Sequence, residues 1–148
     1  MSDPMLIDAL AEQVRWYERL AKLAELQHEH VRQGQTEELL SVLGQRQDVL
    51  GEVARLEGVL APARKQWAGW LGTLVGDDRT RAERLLAEER RLLEEITAAD
   101  RQDALVLQQR KMNLGKQIQA ATAARSVNRK YAAAAYGPRE SRVDVSSR

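Results

Sequence analysis

The 148 residues predict an all-α protein: an antiparallel three-helix bundle or coiled coil whose last helix is longer than the other two. Three observations carry this. Apolar residues recur at four-three spacing over most of the chain, which is the period of a helix seam. β-branched runs of the kind a sheet needs are missing. Hydrophobic residues make up 43% and charged residues 30%, with no Phe and no Cys, a balance typical of long amphipathic helices.

The first helix is expected over about 3–33. Ser2 or Asp3 caps it, and Pro4 suits the first turn because its missing N–H would have no partner there. Leu10, Val14, Tyr17, Ala21, Ala24, His28 and Val31 mark one face, and Gly34 the exit. A second helix is expected over about 37–75. Thr36 supplies a capping hydroxyl, and Glu37 and Glu38 favour the positive end of the dipole. Its stripe runs Leu39, Leu43, Arg46, Leu50, Val53, Glu57, Leu60, Arg64, Trp67, Leu71, Leu74, so three polar residues interrupt it. Val42, Val49, Leu56, Ala63 and Trp70 form a second stripe, which asks for two neighbours. Pro62 should bend or break this helix. Gly44, Gly51, Gly58 and Gly72 share one heptad position. They mark either a closely approaching backbone or glycines tolerated on a wet face.

Gly76-Asp77-Asp78 reads as a turn and cap, followed by a third helix over about 78–136. Leu85, Leu86, Leu92, Leu93 and Ile96 give its strong edge. Blocks such as "EERRLLEE" read as a solvated, salt-bridged face. One domain is expected over 1–136, with a disordered basic tail over 137–148.

Short turns make the helices antiparallel. Mirroring the chain about Gly76 puts Leu39 beside Asn113, so the third helix should run on alone past about Gly115. That is about 20 residues, or roughly 30 Å of helix. Gly115 is a candidate hinge. The stripe Ala120, Ala124, Val127, Tyr131 and Ala134, with Ile118 and Ala121 beside it and Tyr136 at its end, is the candidate partner-binding surface. Small residues there let a helix come close, and Tyr131 offers an amphipathic anchor. Pairing of this helix with a second copy is the alternative.

Other classes find little support. His28 and His30 point about 200° apart on a helix and do not share a metal; His28 belongs at the seam. No glycine-rich phosphate loop follows a strand, and no catalytic constellation is legible, so neither enzyme activity nor a cofactor is expected. A net charge of +1, with a basic excess from Arg125 onward but little aromatic interleaving, argues against nucleic acid. The longest apolar stretch, Trp67 to Val75, is far short of the roughly 20 residues of a spanning helix. The start has no Lys or Arg before Arg15, unlike a signal peptide, so a cytoplasmic protein is expected.

The stretch "YERLAKLAELQHEHVRQGQTEELLSVLGQRQDVLGEVARLEGVLAPARKQW" brings Gln27 through Gly34, then Gln47, Leu50, Leu56 and Glu57, into a recognisable order. With Asp100, Asp103, Leu107, Arg110, Lys111 and the terminal Tyr136-Gly137, it resembles the FlgN-type flagellar export chaperones and their FliT-like relatives over about positions 10 to 137. The resemblance implies an ATP-free chaperone that binds C-terminal regions of hook–filament junction proteins through its own C-terminal helix region. It also implies delivery of those clients to the export gate of the flagellar type III apparatus. The rival from another class is a structural coiled-coil protein that homodimerises through its third helix and has no client.

Overall fold

The computed structural model describes the backbone of residues 3–146 and the side chains of 3–135. Four helices follow one another: α1 (Asp3–Gln33), α2 (Thr36–Lys65), α3 (Trp67–Thr73) and α4 (Gly76–Ser146). No strand occurs among the described residues. The chain divides into two units, Met1–Val106 and Leu107–Arg148.

Both expected glycine turns are present, at the two positive φ angles of the chain's described part: Gly34 at 70° and Gly76 at 59°. Only glycine adopts this region without strain. At Gly34 the Gln35 N–H bonds the His30 carbonyl (3.0 Å) and the Gly34 N–H bonds that of Val31 (3.3 Å), a Schellman stop. The same turn makes Gln35 the cap of α2, without a side-chain cap bond. The expected Thr36 cap is therefore displaced by one residue, because Thr36 is already helical. Gly76 likewise opens α4, so Asp77 and Asp78 stand in its first turn rather than capping it.

The expected helix over 37–75 is two helices. Pro62 lies inside α2, and the break comes at Gln66. There the N–H of Gln66 bonds the carbonyl of Ala63 instead of Pro62, and the Gln66 carbonyl accepts from Trp70 to start α3. The turn turns Trp67 and Trp70 onto each other, rings stacked 4.9 Å apart. A proline removes one N–H and crowds one carbonyl but does not force the chain out of a helix. α4 accordingly runs through Pro138, past the expected stop at Tyr136. The side chains of the basic tail lie outside the described residues.

Three apolar clusters hold Met1–Val106 together. Leu6 and Leu10 of α1 pack with Leu60 and Ala63 near the end of α2, with Leu85 and Leu86 of α4 against them. Leu20 and Leu23 pack with Val42, Val49 and Val53 and with Ile96 of α4. Ile7, Leu74 and Ala82 close the end beside α3. α1 thus meets α2 in reverse order and α4 in forward order. α1 buries two adjoining stripes, including Leu20, Leu23, Gln13 and Gln27, because it faces both neighbours. Both α2 stripes contribute to the core: Val42, Val49, Leu56 and Ala63 of the second and Val53 and Leu60 of the first are buried, while Leu43 and Leu50 of the first are exposed. Gly44, Gly51, Gly58 and Gly72 have open space where a Cβ would stand, so no backbone of this chain approaches them closely.

Candidate functional site

The body of the molecule is pinned by two polar layers that reach α4. In the first, Gln13 donates to the Val53 carbonyl (3.2 Å) and to Glu57 (3.0 Å), and Arg64 Nη2 donates to Gln13 Oε1 and Glu89 Oε1, both at 2.8 Å. Arg64 Nε also lies 2.6 Å from Glu57 Oε1, and its guanidinium sits over Trp67 at 5.3 Å. In the second, Asp103 accepts from Gln27 (3.1 Å) and from His28 Nδ1 (2.7 Å), while Arg46 forms a two-pronged pair with Asp100 at 2.7 and 2.8 Å. A carboxylate oxygen has no proton to give, so the His28 ring carries its hydrogen on Nδ1. His28 thus lies at the seam with Asp103, and His30 turns instead to Gln35 (2.6 Å).

These layers correct the expectation that the charged residues of "EERRLLEE" lie on a solvated face. Glu89, the second residue of that block, is buried, and so is Asp103. Burial pushes the Glu89 carboxyl up, with Glu57 nearby adding to the effect and Arg64 opposing it. Its Oε2 has no hydrogen-bond partner. An acid whose folded pKa exceeds its unfolded one binds more protons when folded. Its contribution to stability then falls as pH rises from the usual carboxylate range through the raised value. Glu89→Gln should remove that slope. Urea midpoints measured across this range should show wild type losing ground to the variant as pH rises; parallel curves would mean that Glu89 titrates normally.

Arg46 also dates the end of the packed region. It is 30 positions before Gly76, so the mirror places it beside Val106, yet its partner is Asp100. Coverage of α4 ends earlier than expected. Asp103 is the last buried side chain among those described, and the exposed run begins near Ala104 rather than after Gly115.

Beyond Asp103 the large apolar side chains Leu105, Leu107, Met112, Leu114, Ile118, Val127 and Tyr131 are all exposed, Ile118 by 58% and Tyr131 by 72%. Ala120, Ala121, Ala124 and Ala134 are exposed as well. The side chain of Tyr136 lies outside the described residues. Gly115 stands inside α4, with open space around it and no break in the helix.

At about 100° per residue, Leu107, Leu114, Ile118 and Ala121 fall within roughly 60° of one another. Ala120, Ala124, Val127, Tyr131 and Ala134 fall within roughly 80°, in an arc centred roughly 130° from the first. The candidate contact residues thus fall on two arcs, one nearer the body in sequence and one nearer the terminus, because the run that ends at Ala121 and the run that starts at Ala120 follow four-three registers one residue apart.

No protein-family model, curated protein or solved structure matches this chain. No helix among the described residues is long and apolar enough to cross a membrane. Nor do three or more of their His, Asp or Glu side chains form a group that could hold a metal ion.

Proposed function

We propose that this chain is a non-catalytic carrier, an export chaperone of the flagellar type that its sequence resembles. Its body is an antiparallel three-helix bundle, and α4 runs beyond that bundle as a docking strip. The clients are the C-terminal helical regions of hook–filament junction proteins. They are held in the cytoplasm and handed to the membrane protein of the export gate. Ile118, Ala120, Ala121, Ala124, Val127, Tyr131, Ala134 and Tyr136 are the contact residues, and Gly115 lets the strip adjust.

The observation that carries this reading is the uncovered apolar content of α4 after Asp103. Water-exposed Leu, Ile, Met and Tyr at helical spacing are what an amphipathic partner helix needs. Long exposed helices order only part of their length alone, so a client would bind with moderate affinity and leave readily. That suits a protein that must hand its cargo over.

Tyr131→Ala should weaken capture of such a client segment by on the order of tenfold and leave the melting temperature nearly unchanged, because Tyr131 is exposed. Calorimetric titration and thermal melts of the full chain check both. A sharp fall in melting temperature would make Tyr131 a core residue and remove the strip. The homodimer alternative uses the same surface. A chain that sediments as a tight dimer at all concentrations, with Leu114 and Ile118 protected, would favour it over a client.

A further inference from the structure

The strip has a charge character as pronounced as its apolar one. Met1–Val106 carries fourteen Lys and Arg against twenty Asp and Glu, net −6; the remainder carries nine against two, net +7. The near-neutral total conceals a strongly bipolar chain. Between 107 and 135 there are six cations, Arg110, Lys111, Lys116, Arg125, Arg129 and Lys130, and no acid at all. Helix C-terminal dipole complementation reaches only the last turn. It does not account for cations that begin at Arg110, far inside α4.

Their placement matters more than their number. Taking about 100° per residue, four of the six, Arg110, Lys111, Arg125 and Arg129, lie within roughly 50° of the centre of the Leu107, Leu114, Ile118 and Ala121 arc, while Lys116 and Lys130 lie on the far side, roughly 150° or more from it. The four border or extend the apolar arc. A solvated back face would have the reverse arrangement. On a helix that docks another helix, the residues flanking the apolar ridge choose the partner by charge.

Building on the docking strip proposed above, we propose that its occupant is an amphipathic helix whose apolar ridge is flanked by Asp and Glu. The apolar arc supplies the contact area, and the cations select the partner and speed its arrival. Nucleic acid is the less favoured occupant, because the arc between the cations is Leu and Ile rather than stacking aromatics.

The test uses the full chain and four probes: a synthetic amphipathic helix with Glu flanks, the same ridge with Lys flanks, a scrambled Glu-rich peptide of equal charge without a ridge, and a single-stranded DNA of similar length. The Glu-flanked helix should bind at least tenfold more tightly than each of the others, and raising the salt from low to physiological levels should weaken it severalfold. A charge-reversed chain, Arg110→Glu with Lys111→Glu, should switch preference to the Lys-flanked helix. Both positions are exposed on α4, and an unchanged circular dichroism spectrum shows the variant folded. Equal binding of the Glu- and Lys-flanked helices would overturn the charge selection while leaving the apolar strip in place. Equal binding of the scrambled peptide, or tighter binding of DNA, would overturn it in favour of plain polyanion attraction. Failure of every probe, together with no effect of Leu114→Glu on client capture, would remove the docking strip itself.

Discussion

Arg64→Met is expected to cost about 3 kcal/mol of folding stability, seen as a lower urea midpoint and a melting temperature lower by roughly 10 °C. Arg64 is the cation facing Glu89, whose side chain is only 8% exposed. Removing it leaves a buried carboxylate without a charge partner and Gln13 Oε1 without its donor. The figure is taken at the low end for a broken buried pair because the Arg64 side chain is itself 27% exposed and also serves Glu57. The double change Arg64→Met, Glu89→Met should recover most of the loss, since two apolar side chains of matching size fill the layer without a stranded charge. A single variant as stable as wild type would mean that this layer contributes specificity without stability.

Leu60→Ala should cost a further order of the same size, about 3 kcal/mol, because Leu60 is fully buried between α1 and α4 residues and the cavity left behind cannot close completely. The informative control is Leu114→Ala. The same atoms are deleted from the same kind of residue on a helix, but Leu114 is 58% exposed. Its effect on the unfolding midpoint should stay within about 0.5 kcal/mol. If Leu114→Ala costs as much as Leu60→Ala, the side chains after Val106 belong to a core, and there is no free surface for a client.

The helical class, the two glycine turns and most of the apolar core were legible, since each rests on local chemistry. Gly34 and Gly76 stop helices because positive φ favours glycine, and that needs no knowledge of the tertiary structure. The polar layers were half legible. Arg46, Glu57 and Arg64 interrupt an otherwise apolar stripe of α2, and all three belong to the networks. The acids they meet, Asp100 for Arg46 and Glu89 for Arg64, carry no local mark of that role, and neither does Asp103, which binds Gln27 and His28. Whether an acid is buried depends on which helix lies opposite, and that is not a local property. The break at Gln66 was anticipated through Pro62 but misplaced, because a proline disturbs hydrogen bonds over a whole turn. The register also departs from a simple mirror about Gly76: Arg46 meets Asp100 instead of Val106. The candidate surface on α4 starts near Ala104 rather than after Gly115, and its apolar residues fall on two arcs.

The central claim is that α4 between 107 and 135 is the surface that holds a client. Amide hydrogen exchange on the full chain, with and without the C-terminal helical segment of a hook–filament junction protein, addresses it residue by residue. Fast exchange over 107–135 in the free chain, slowed on addition of the segment while 3–103 stays unchanged, is the predicted result. Protection that is already high across 107–135 without the segment, or that rises only within 3–103, would contradict it.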